Sequence, residues 1–252
     1  MFMPVDFTLI LFLALASLVS WLISTLTSGG SSLILMPIIG LLLGADSIPP
    51  IITVGAIFGN VERATVYRKS IRWEVIKWEL PGAILGSCLG AFTLSQIRVD
   101  FLGIFIALFL LISAISSLKK SENVSFPVRI WYFLPAGFLY SWLSGILGSI
   151  GPILTPFYIN YGLAKEELLA TQATARATIH LVKAISYAVF GILTVQNLWY
   201  GVLIGVAAFP GNWLGHQILT KISEYQFKQI VVSFVILSGI LMLWQQHELL
   251  GF

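Results

Sequence analysis

Ser28-Gly29-Gly30-Ser31-Ser32-Leu33-Ile34-Leu35-Met36-Pro37 has an echo later in the chain, Leu147-Gly148-Ser149-Ile150-Gly151-Pro152-Ile153-Leu154-Thr155-Pro156. Gly29 answers Gly148, Leu35 answers Leu154 and Pro37 answers Pro156, at a constant offset of 119 residues. Further on, Gly86 and Gly90 answer Gly211 and Gly215 at an offset of 125. The order is kept along both halves, so the chain reads as a duplication inside a single membrane domain, 1–252. Repeat one covers 5–118, a polar connector 119–129, and repeat two 130–248.

Composition supplies the bilayer. Of 252 residues, 58% are hydrophobic and 10% charged, with a mean hydropathy of +0.93, whereas soluble domains carry roughly 25% charged residues. The chain is therefore expected to be an all-α integral membrane protein. Its net charge of +3 does not point to nucleic acid, because the basic residues sit in short loops between apolar runs. The lone Cys88 excludes an intramolecular disulfide and a cysteine metal site, and no metal or cofactor is expected. Residues 1–6 lack the positive region of a secretory signal, so the first apolar run reads as a retained helix.

Each half divides into five apolar pieces: 7–28, 31–44, 48–67, 76–94 and 99–118, then 130–148, 152–162, 168–191, 198–219 and 227–246. A crossing helix needs about 20 residues, so 31–44 and 152–162 are short for a span and either cross or re-enter behind a Gly-rich tip. With the amino terminus outside, Arg68, Lys69, Arg72, Lys77, Lys119, Lys120, Arg129, Lys165, Lys221 and Lys228 lie inside, and only Arg98 outside. That is the positive-inside bias, and it predicts both termini outside a multi-pass membrane protein. An odd number of passes per half makes the repeats inverted, a common plan of secondary transporters with a site near the midplane.

Chemistry enters at two places. Glycine tips let backbone approach a ligand, and helix starts behind them offer unpaired N–H groups and the positive end of a dipole, so Gly29, Gly30, Gly148 and Gly151 are candidate anion contacts. Ser31 or Ser32 is the expected cap in the first half, and Pro152 the expected early helical residue in the second. Close helix packing is the other use of such glycines. The second place is the stretch 168–191, where Gln172, Arg176, His180, Lys183 and Tyr187 fall on one stripe at about 100° per residue, opposite Ala170, Ala177, Leu181, Ile185 and Ala188. Each Arg or Lys at a helix centre costs at least about 2.5 kcal/mol in lipid, so the stripe faces a cavity or an anionic partner.

At about 1.5 Å per residue from Leu168, Arg176 lies about 12 Å deep, His180 about 18 Å and Lys183 about 22 Å. Arg176 and His180 are the central candidates, with Gln172 and Thr171 as neutral donors nearer the inner mouth. Lys183 is a further candidate that reaches toward the outer edge. The matching piece of the first half carries Thr53, Asn60, Arg63 and Tyr67 on one face, with Arg63 either snorkelling to the inner surface or lining the pathway. Glu62 and His180 are candidates for proton coupling. The eight tryptophans, Trp21 among them, fall near segment ends and read as interfacial anchors.

These features resemble the TauE/SafE sulfite exporter family of transmembrane permeases. The resemblance rests on the duplicated Gly-rich segment closed by Pro37 and Pro156, and on Tyr67-Arg68-Lys69-Ser70-Ile71-Arg72-Trp73 leading into Leu80-Pro81-Gly82-Ala83-Ile84-Leu85-Gly86-Ser87-Cys88-Leu89-Gly90-Ala91. Its glycine runs are shorter than those common in the family, with Ile150 and Pro152 standing in the second. The resemblance implies a secondary permease for sulfite, organosulfonates or related small anions, not an enzyme, with the anion and the lipid bilayer as partners and a homo-oligomer compatible with the sequence. Two rivals stand beside it. One is an anion channel; the other is a membrane-embedded enzyme using Ser144 and His180. No Gly-Lys-Ser/Thr phosphate loop is present, which argues against an ATP-driven pump within the chain.

Overall fold

The computed structural model describes residues 7–26, 31–97, 99–118, 127–151 and 153–218, together with positions 236, 240, 243 and 244. Nine α-helices account for most of them: α1 Phe7–Leu26, α2 Ser31–Leu43, α3 Ile48–Val66, α4 Trp73–Gln96, α5 Val99–Leu118, α6 Phe133–Leu147, α7 Thr155–Tyr161, α8 Lys165–Val189 and α9 Val195–Ile218. Their ends lie within three residues of the apolar pieces read from the sequence. Apart from those four positions the tenth piece, 227–246, lies outside the described residues, as do the tip glycines Gly29 and Gly30, and Pro152.

Among the described residues, polar groups are buried beside an apolar core while many large apolar side chains face outward. Leu181 and Ile185 of α8 are 51% and 59% exposed, while Gln172, Arg176, His180, Lys183 and Tyr187 on the other face are buried. In α1, Phe7, Leu11, Leu15 and Val19 are exposed while Ser17, Ser20 and Ser24 are buried. Water does not sort side chains this way; a hydrocarbon surround does, because it offers buried polar groups no partners and exposed apolar groups no penalty. Among the described residues three stretches are long and apolar enough to cross a membrane, Phe7–Ser24, Trp73–Gln96 and Ile130–Leu147. The 19-residue α3 and 25-residue α8 are long but less apolar, since they carry Asn60, Glu62, Arg63 and the basic stripe.

Helix lengths separate the short pieces. At about 1.5 Å per residue α2 rises about 20 Å and α7 about 10 Å, against a hydrocarbon core of about 30 Å. The start of α7 corrects one expectation: the helix begins at Thr155 with Pro156 in its first turn. The sequence reading placed Pro152 early in this helix, whereas the helix starts only after Ile153 and Leu154, which lie in a turn. At Pro156 the missing proline N–H is an orphan in any case.

The largest interfaces join the two halves of the chain. α4 packs along α6, α1 along α9, and α3 lies against α8 and α9, while α8 also meets α4. The α4–α6 contact is a glycine seam: a side chain at Gly82, Gly86 or Gly90 would collide with the backbone of Leu134, Phe138 or Trp142. From the other side, Gly137 meets Glu79 and Gly145 meets Gly90. On α9, Gly211 abuts the backbone of Leu18 in α1 in the same manner. Small residues at membrane helix contacts let backbones approach and gain dispersion contact where no hydrophobic drive separates helix from lipid.

Candidate functional site

α3 and α8 bring their cationic faces to one enclosed space. A cavity of about 30 Å³ is walled by Asn60 and Arg63 of α3 and by Arg176 and His180 of α8. Trp21 and Ser24 of α1, Ser31 and Ser32 of α2, and Ser149 and Gly151 from the tip after α6 complete its polar wall. One water needs about 10–15 Å³ by this measure, so the space suits an ion of few heavy atoms. Nearly every polar group around it is a hydrogen-bond donor or a cation.

Each arginine is held by an aromatic ring from the first helix of its own half. The Arg63 guanidinium lies 6.0 Å from the centre of the Trp21 ring, and that of Arg176 5.9 Å from Tyr140. Trp21 and Tyr140 stand 119 residues apart, the same offset as the glycine tips. Such stacking is worth about 0.5–2 kcal/mol, and it leaves the planar edges of the guanidinium free to donate. Arg176 Nη2 donates to the Gly151 carbonyl at 3.2 Å, and the Tyr140 hydroxyl donates to the same oxygen at 3.3 Å. Arg63 Nη2, His180 Nδ1 and Ser24 Oγ are buried and have no hydrogen-bond partner among the described residues. A buried donor left unmade costs about 1–3 kcal/mol, so three around one cavity need an explanation.

The tip after α6 is built for close approach. Gly148 has φ +90° and Gly151 φ +63°, left-handed conformations that disfavour a side chain. Oxygens at the end of α6 accept hydrogen bonds from neighbouring side chains. Lys183 Nζ donates to Ser144 O at 3.2 Å, Ser144 Oγ at 2.8 Å and Gly148 O at 2.5 Å. Tyr187 donates to Gly145 O at 2.6 Å and Thr53 to Gly148 O at 3.5 Å. Cationic and hydroxyl donors at a helix carboxyl end satisfy its orphan acceptors and its dipole together.

At the amino ends of α4 and α8 an exposed ionic joint ties the two helices. Arg72 donates to Glu74 at 2.6 Å and to Glu167 at 3.1 Å, and its backbone N–H donates to Thr171 Oγ1. Hydrogen bonds to Glu74 and then Glu167 raise the Arg72 guanidinium above its ordinary value. The Ala164 N–H, and after it Arg72, hold the Glu167 carboxyl below its own.

Residues 12–242 match the family model described as sulfite exporter TauE/SafE. The chain belongs to the TauE/SafE sulfite exporter family. Neither the curated proteins nor the solved structures gave a match. TauE/SafE proteins are membrane transporters, which agrees with an apolar exterior and a cation-lined interior.

The structure sorts the candidates of this TauE/SafE chain. Of the two uses left open for Arg63, snorkelling and lining, it shows the second: the residue is 6% exposed and lines the cavity. Trp21 is no interfacial anchor, being 4% exposed and part of the cavity wall, because α1 turns its serine-bearing face inward at that level. Lys183, Gln172 and Gly148 share the stripe or the tip but are not in the cavity wall: Lys183 caps α6 and Gln172 donates to Thr155 Oγ1 at 2.9 Å. Glu62 accepts from Asn212 of α9 at 2.6 Å. Ser144, the nucleophile of the enzyme alternative, is held by Lys183. The sequence reading missed Ser24, Ser149, Tyr140, and the buried pair Glu79 and Tyr158, bonded at 2.5 Å. A lone acid inside the apolar piece 76–94 was the available signal for Glu79.

Proposed function

We propose that this TauE/SafE member is a secondary transporter that carries a small sulfur-containing anion, such as sulfite or an organosulfonate, by alternating access across the inner membrane. The anion sits in the cavity between Arg63 and Arg176, with His180, Asn60 and the serine hydroxyls as further donors. The carrying observation is the set of buried polar atoms without partners among the described residues, Arg63 Nη2, His180 Nδ1 and Ser24 Oγ, around a space of ionic size. An oxyanion supplies several acceptors at once, and arginine edges match them in paired geometry.

Alternating access draws support from how the halves interlock. If α1–α5 and α6–α9 are inverted repeats, α4 on α6 corresponds to α9 on α1, and α3 on α9 corresponds to α8 on α4; all four contacts occur. The Trp21–Arg63 and Tyr140–Arg176 stacks correspond likewise. A site on the pseudo-axis of two such halves is exposed to either side when they rock. Both termini outside follow from the positive-inside bias. Arg176→Ala tests the reading in reconstituted vesicles: saturable sulfite or methanesulfonate uptake by the wild type should fall at least tenfold in the variant, with the fold retained. Unchanged uptake overturns the assignment of Arg176, and uptake that never saturates favours a channel.

A further inference from the structure

Of the three charged residues of α4, Glu74 and Lys77 are exposed and Glu79 is only 1% exposed. Its carboxyl is used by none of the anion contacts. Oε2 accepts from the Tyr158 hydroxyl of α7 at 2.5 Å, and α6 presses Gly137 against its backbone and Cγ so closely that a Cβ there would collide. Three titratable groups act on it: Tyr140 from α6, Tyr158 from α7 and Arg176 from α8. Of these, only Arg176 also lines the cavity. One guanidinium therefore belongs to the wall of the space proposed for the anion and also interacts with a buried carboxyl.

We propose that Glu79 is a protonation site linked to occupancy of the cavity, taking up one proton when an anion binds and releasing it when the anion leaves. The inference rests on the reading of the cavity as an anion site. With the cavity free of anion, the Glu79 carboxylate balances Arg176. An anion in the cavity sets a second negative charge against the same guanidinium in a medium of low dielectric, and the relief is protonation of the one with a proton affinity. The step is a simple transfer: a proton from water forms an O–H bond at a Glu79 oxygen, and release reverses it. A monovalent anion and its proton then bind with no net change in charge. Glu62 is less suited to this part, being partly exposed and already held by Asn212.

Calorimetric titration of the detergent-solubilised protein with sodium methanesulfonate, in two buffers of different ionisation heat at one pH, counts the protons. Methanesulfonate keeps its charge across the range, so any proton belongs to the protein. The expected result is about one proton taken up per anion by the wild type, and binding without uptake in Glu79→Gln. No uptake by the wild type, or the same uptake in Glu79→Gln, overturns the proposal. No binding of methanesulfonate or sulfite by the wild type at any pH removes the anion site itself, a failure visible before any variant is made. Should Glu79→Gln fail to fold, difference infrared spectra decide. Methanesulfonate should raise a carboxylic-acid C=O band in the wild type that moves in Glu79→Asp; no such band, or one that Glu79→Asp leaves in place, overturns the assignment.

Discussion

Lys183 and Arg176 stand seven residues apart on one helix stripe and do different work. Arg176 reaches the cavity and spends one donor on the Gly151 carbonyl. Lys183 matches its three ammonium protons to three oxygens at the end of α6. Replacing Lys183 by Met should therefore act on stability: hydrogen bonds from a charged donor contribute about 1.5–3 kcal/mol each, and their loss lowers the unfolding midpoint by several degrees. The affinity of the folded fraction for methanesulfonate should stay within about twofold, under 0.5 kcal/mol by the usual conversion; a larger loss would make Lys183 a ligand contact. Helical spacing made the stripe legible, since residues three and four apart share a face whatever the surroundings. It could not sort Lys183 from Arg176, because the distinction depends on where the end of α6, far away in sequence, comes to lie. Trp21 failed for the same reason: a tryptophan near a segment end is ordinarily an anchor, and only the approach of Arg63 from α3 makes it a platform.

Among the elements, α4 and α6 depend on backbone contact along Gly82, Gly86 and Gly90. Gly90→Leu should separate the helices, because the neighbouring atoms are backbone of Trp142 and Gly145 and cannot rotate away. The measurable outcome is loss of the monodisperse folded species in detergent, with Leu85→Ala on the exposed face of the same helix as a control that leaves it intact. The joint between α4 and α8 should behave oppositely. Glu167 is held below its ordinary value of 4.5, so its contribution is complete above that value and disappears as the pH falls through the lowered one. The residue is exposed and its pairing screened, hence the effect is small. Glu167→Gln should lower the unfolding midpoint slightly at pH 7, with the gap to the wild type closing well below pH 4.5. Element positions were legible because apolar runs and their breaks fix helix ends to within a few residues. The start of α7 was not, since Pro152 and Pro156 satisfy the same local rule and the turn at Gly151 decides between them.

At the scale of the molecule, each half is short of contacts with itself. Within the first, α1 meets α2 and α2 meets α3, but the extensive surfaces run from α4 to α6, α1 to α9 and α3 to α8. α1 and α4, the outer helices of the first half, are each completed by a helix of the second. Neither half then buries its glycine seams or its polar stripe alone: in isolation, Arg63 and Asn60 of α3 or Arg176 and His180 of α8 would face lipid, at about 2.5–3.5 kcal/mol for each arginine on insertion scales. A cut within 119–126 falls between the last described helix of one half and the first described residue of the next. Expressed singly, residues 1–118 and 127–252 should be degraded or recovered as aggregate. Co-expressed, they should co-purify and restore saturable anion uptake in vesicles, because what holds them is interface and not connection. A half that is stable and monodisperse by itself would mean that the two fold as independent domains, and the shared cavity would lose its physical basis.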